Sequence, residues 1–95
     1  MIPSTVLVLG KQYTVTLIDG TDDDDFGRCD YDNCAIYVRR TQCHQQMADT
    51  LLHELNHAID HAMQNRMTES QVHRAATGNL AVLRDNPALV AFLIA

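Results

Sequence analysis

The feature that most constrains this chain is a change of hydrophobic period at Thr41. Up to that point, short β-branched runs are separated by turn residues. Beyond it, apolar residues recur at spacings of three and four. A segment with one period does not settle into the other kind of element. The chain must therefore build a β half first and an α half second, an α+β arrangement. Residues 5–9 (TVLVL) and 13–18 (YTVTLI) read as a hairpin turning at Gly10-Lys11. Residues 27–31 and 35–39 read as a second pair of strands turning at Asp32-Asn33. The polar stretch 19–25, with four consecutive Asp, reads as a solvated loop. It lacks the alternating acids, the Gly and the closing Glu of an EF-hand.

In the second half, Ala48, Leu51, Leu52, Leu55, Ala58, Ile59 and Ala62 define one apolar stripe of a helix. Thr41 is its expected N-cap, and it should fade near residues 63–66. Thr68 opens a second helix, with Gln71 three residues on as in a capping box. Val72, Ala76, Leu80 and Leu83 form its inward face. Asn86-Pro87 reads as the cap and first residue of a third helix over 88–94. At 95 residues the chain is expected to be one domain, residues 1–95, with a single core.

Composition narrows the partners. The net charge is −5, and only Arg39 and Arg40 of the seven basic residues are adjacent. Without a basic stripe to replace phosphate counterions, no nucleic-acid partner is expected. No apolar run reaches a membrane span, and the N-terminus lacks the pattern of a signal peptide. Cys29, Cys34 and Cys43 are an odd number and no dense disulfide framework. Reduced thiols and a cytoplasmic location are the expectation.

The chemistry sits in His53-Glu54-Leu55-Asn56-His57, an H-E-x-x-H pattern on the first helix. A spacing of four stacks both imidazoles on one face, one turn apart, where they can reach a single ion. Zinc is the default ion for imidazole ligands where no redox chemistry is implied. Glu54 lies roughly 100° round the helix from His53. It borders the ion without ligating it and can take a proton from an attacking water. His61 extends the pattern, but eight residues separate it from His53, about 12 Å on a helix, too far to share the ion. His61 and Asp60 are therefore expected on the solvated surface.

HELNHAIDH, the strand-rich half before it and HRAATGNLAVLRDNP after it resemble the small zincin metallopeptidases of the ImmA/IrrE type, especially the minimal versions that phages and prophages encode. The resemblance covers roughly residues 27–95 and is specific only at the H-E-x-x-H pattern. It implies an antiparallel sheet of about four strands packed on the active-site helix and a following helix hairpin. It also implies zinc-dependent hydrolysis of a peptide or protein substrate, with Glu54 as general base and a third, acidic ligand on the next helix.

That helix offers Glu69 and His73. If the two helices turn back symmetrically near residues 65–66, His57 lies level with residue 74. His73 is then the expected third ligand, and Glu69 sits about 6 Å nearer the turn. Glu69 also has a structural explanation, as an acid in the first turn of a capped helix. It becomes the alternative third ligand if the first helix stops early and its neighbour crosses steeply. Tyr31 and Tyr37 are within sequence reach of the site as hydrogen-bond donors or as packing. Residues 35–39 are the expected strand for pairing an extended substrate. Two rival readings remain: a zinc hydrolase of a non-peptide substrate, and a zinc-stapled interaction module without catalysis. Four protein ligands would mark the module; three plus an open position would mark an enzyme.

Overall fold

The structure, a computed structural model, describes residues 1–20, 25–64 and 66–95. Its elements are β1 (Thr5–Val8), β2 (Lys11–Ile18), β3 (Gly27–Asp30), β4 (Ala35–Arg39), α1 (His44–Met63), α2 (Glu69–Asp85) and α3 (Pro87–Ile94). The α+β class and the order of strands then helices follow the sequence pattern. The acidic residues 22–24 and Asn65 lie outside the described residues.

The sheet departs from the antiparallel expectation. Its order is β1-β2-β4-β3, and β2 and β4 run parallel, with Val15 opposite Ile36. Burial explains the order. β4 (AIYVR) includes Ile36 and Val38, both fully buried, and takes an inner position between two neighbours. β3 (GRCD) carries Arg28 and Asp30 and takes the edge, where charges are tolerated. The link from residue 19 to 26 is long enough to carry β3 past the place that β4 then fills.

The first hairpin turns one residue earlier than expected. Val8 pairs with Lys11, so Leu9 and Gly10 form the loop, with φ of 48° and 87°. Positive φ at both loop residues matches the right-handed twist of the strands. In the second hairpin Asp30 pairs with Ala35 and residues 31–34 form the loop. The Asp30 carboxylate closes it by accepting from the Asn33 backbone (3.2 Å) and side-chain amide (2.9 Å).

Helix α1 lies between the sheet and α2. Met47, Leu51 and Leu55 pack on the core of Val8, Tyr13, Val15, Ile36, Val38 and Ala58. The fully buried line of α1 is Thr50, Glu54 and Ala58. That line is rotated by roughly 100° from the centre of the expected stripe, and Ile59 is left exposed. Periodicity cannot anticipate this rotation, because a helix with two neighbours buries two sides. The N-cap is Cys43 rather than Thr41. The Gln42 side chain holds the approach to the sheet, donating to the carbonyls of Phe26 (3.0 Å) and Arg39 (2.7 Å). α1 begins at His44, directly after this anchor.

Helix α2 runs antiparallel to α1. Asp60 meets Met67, Asp49 meets Thr77, and Gln45 meets Arg84. Its cap matches the expected capping box: Thr68 Oγ1 accepts from the Gln71 backbone (3.2 Å), and Gln71 Oε1 accepts from the Thr68 backbone (2.8 Å). Val72 and Ala76 are fully buried. α3 begins at Pro87 behind Asn86, as expected, and among the described elements it packs only on α2. Among the described residues, no helix is long and apolar enough to cross a membrane.

Candidate metal centre

Around α1, the sheet-facing and α2-facing residues meet at the H-E-x-x-H turn. His53 and His57 fall on the α2 side, and Glu54 falls toward the sheet. The two imidazole Nε2 atoms lie 3.2 Å apart. Glu69, the first residue of α2, reaches both: Oε1 is 2.5 Å from His53 Nε2 and Oε2 is 2.9 Å from His57 Nε2. Among the described residues, His53, His57 and Glu69 form the cluster whose ligand atoms all lie within 4.8 Å of one another.

The donor set fits a zinc ion. Two nitrogens bound tetrahedrally at ~2.0–2.1 Å stand about 3.3 Å apart, close to the observed spacing. Without an ion the arrangement is awkward. If both Nε2 atoms carry protons to donate to Glu69, the two donors face each other at 3.2 Å. A divalent cation relieves that opposition and uses all three groups at once.

Glu69, not His73, therefore completes the three-residue cluster, and the reason is the path between the helices. The symmetric turn assumed in the sequence reading does not form. Gln64 and Arg66 adopt left-handed φ of 56° and 57°, and the Asp60 carboxylate accepts from the Met67 backbone at 3.1 and 3.2 Å. Residues 66–68 return alongside α1 in a non-helical conformation. An extended residue covers ~3.3 Å of axis where a helical one covers 1.5 Å. Thr68 is extended, so the return over 66–68 advances α2 further along α1 than helical winding would, and Glu69 rather than His73 arrives level with His57. His73 stands one turn further along α2, its ring centroid 6.1 Å from that of His53. Asp60, expected as a solvated residue, is what anchors this return.

Glu54 is 7% exposed. Burial raises its pKa to about 7; the neighbouring carboxylates Glu69 and Asp25 add to the rise, and His57 opposes it. For Glu69, burial also acts upward, but the hydrogen bonds with His53 and His57 outweigh it and hold the carboxyl below its ordinary value. The two glutamates thus have distinct characters: Glu69 is ionised and held by imidazoles, and Glu54 is poised to exchange a proton near neutrality.

Room for Glu54 depends on Gly27, which the sequence reading treats only as a strand start. A Cβ there would stand 2.7 Å from Thr50 Cγ2, 2.8 Å from the Tyr37 carbonyl oxygen and 3.3 Å from Glu54 Oε2. Only a residue without a side chain lets β3 approach α1 so closely. Thr50 fixes the same junction, donating to Gln42 Oε1 at 2.7 Å. No sequence motif signals Gly27, Gln42 or Thr50, because their roles exist only once sheet and helix meet.

Two recesses open on either side of this junction. One of about 320 Å³ is bounded by Phe26, Gln46, Asp49, His53 and His73. The other, about 440 Å³, is bounded by Arg28, Cys29, Tyr31 and His57. Asp25, Gly27, Glu54 and Glu69 line both. Tyr31 stacks on His61, with ring centroids 4.2 Å apart and planes within 5°. His61 is exposed, as expected, yet it supports a wall of the larger recess. Tyr37 lies instead beneath the Arg28 guanidinium. All three cysteines are free thiols, and burial, aided by Glu54, pushes the Cys29 thiol up to about 12. Comparison of the chain with protein-family models, curated proteins and solved structures returns no match.

Proposed function

We propose that this chain is a single-domain zinc-dependent hydrolase that cleaves a peptide bond, a minimal zincin in the sense of the sequence resemblance. One observation carries the reading. Two imidazoles and a carboxylate converge within 4.8 Å, beside a buried glutamate that is not one of the three. A purely structural site has no use for that fourth group. His53, His57 and Glu69 would hold the zinc, which when bound supplies a Lewis acid and makes water more acidic. Three protein ligands leave a position open, as hydrolytic zinc sites require.

Glu54 acts as the general base. It takes a proton from the attacking water and delivers it to the leaving nitrogen, roles suited to a buried carboxyl that lies beside the three ligands without being one of them. The substrate strand pairs with β3 rather than with residues 35–39. β4 already has β2 and β3 on its two sides, whereas β3 is the sheet's edge and Gly27 lines both recesses. An extended peptide along that edge passes Glu54 and the zinc ligands.

The test is zinc-reconstituted protein incubated with casein and a peptide library, with products read by mass spectrometry. We expect about one zinc per chain and discrete peptide cleavage. Glu54→Gln should keep the zinc and lose at least ~100-fold in rate. Loss of zinc by that variant, or full activity in it, would remove Glu54 from this role. Turnover of esters or nucleotides without peptide cleavage would overturn the substrate class.

A further inference from the structure

We propose that His73 is an exchangeable fourth protein ligand that closes the metal centre at rest and leaves it when substrate enters. The inference rests on the zinc reading above and adds a means of regulation to it. The first observation is placement. His73 follows Glu69 by four residues on α2, as His57 follows His53 on α1. Two antiparallel helices thus each carry an i, i+4 pair, and His73, outside the 4.8 Å cluster, borders the 320 Å³ recess together with His53, Glu54 and Glu69.

The second observation is distance. An imidazole bound to zinc has its ring centroid about 3.2 Å from the ion, so two rings on one tetrahedral ion stand about 5.2 Å apart. The His53–His57 centroids are 4.9 Å apart and the His53–His73 centroids 6.1 Å apart. The first matches that spacing; the second exceeds it by about 0.9 Å. His73 therefore stands just outside the coordination sphere, and a change of side-chain rotamer must bring its ring in to the ion.

The third observation is the contrast between backbone and side chain at this position. The neighbouring Val72 and nearby Ala76 are fully buried, and Thr77 donates to Asp49 at 2.9 Å, so the helix here is fixed against α1. The His73 side chain is exposed, and among the described residues no hydrogen bond holds it. A rotation about its two side-chain bonds carries the ring in or out without moving α2. In the inward position the centre has four protein ligands, the pattern of a closed site; in the outward position it has three.

The experiment loads the whole protein with Co2+ in place of zinc and follows its visible spectrum while azide is added. Zinc affinity is measured in parallel by competition with a chelator. In the parent, azide should perturb the spectrum only at high concentration, because His73 occupies the position that azide needs. His73→Ala should bind azide at least tenfold more tightly and zinc at least tenfold more weakly. An azide response and zinc affinity unchanged in His73→Ala would overturn the proposal while leaving the three-ligand centre intact. If His53→Ala binds zinc as tightly as the parent, the centre itself is wrongly assigned and this proposal falls with it.

Discussion

The two sides of α1 are held by different physics. Toward the sheet, Met47, Leu51, Leu55 and Ala58 meet an apolar core that includes the fully buried Ile36 and Val38. Toward α2, Val72 and Ala76 supply the buried apolar contact, and most of the remaining links are polar: Asp60 to Met67, Asp49 to Thr77, Arg84 to Gln45, and both histidines to Glu69. Burial of hydrocarbon is insensitive to ions. Polar links between exposed groups contribute little each, and the histidine–glutamate link depends on what lies between its members. The sheet side is therefore expected to persist without metal, and on the proposed zinc reading the α2 side is where an ion would act on stability.

The sharpest test of that contrast is zinc itself. At a free concentration of 1,000 times Kd, a ligand that binds only the folded state adds about 4 kcal/mol. The expected gain is a higher melting temperature, with hydrogen-exchange protection rising in α2 and in residues 66–68 more than in β2 and β4. Equal protection across both regions would abolish the distinction.

A smaller effect attacks the other side. Gly27→Ala forces a Cβ against the Thr50 methyl group and the Tyr37 carbonyl, and the latter cannot rotate away. A loss of about 3 kcal/mol is expected, at the upper end of ordinary overpacking. Urea unfolding of the metal-free protein measures it. An unchanged midpoint would mean that β3 does not approach α1 as closely as described.

The smallest effect concerns pH, again in metal-free protein. The Glu54 carboxyl is raised to about 7 when folded and has its ordinary value near 4.5 when unfolded. The folded state therefore holds this proton more tightly, and stability falls as pH rises from about 4.5 to 7. Glu54→Gln stays neutral and escapes the fall. Its stability relative to the parent should grow from near zero at pH 4.5 to about 2 kcal/mol at pH 8, after allowance for solvent near the site. Thermal melts at the two pH values decide this; parallel profiles for parent and variant would show that Glu54 is not desolvated.

What was legible in the sequence was local. The H-E-x-x-H turn, the Thr68–Gln71 capping box and the Asn86-Pro87 helix start each depend on residues within one turn of each other, and each forms as read. What was not legible depended on paths. β4 enters between β2 and β3 because its side chains are the more apolar, a competition between strands that no single strand reveals. Thr50 and Glu54 face the sheet because α1 has two neighbours. Glu69 replaces His73 in the cluster because residues 66–68 return without helical winding, held by an aspartate that looks solvated in one dimension.

That return makes the connection between α1 and α2 a ruler. Helix α2 carries a carboxylate and, one turn later, an imidazole, and the length of the link selects which of them is presented to His53 and His57. A link whose axial reach is shorter by one helical pitch, about 5.4 Å, would deliver His73 where Glu69 now stands. An anionic ligand would be exchanged for a neutral one, and the bound ion would keep one more unit of positive charge. On the proposed zinc reading, the chemical character of the centre would therefore be adjustable by insertions and deletions between the helices, with His53, His57, Glu69 and His73 all left as they are.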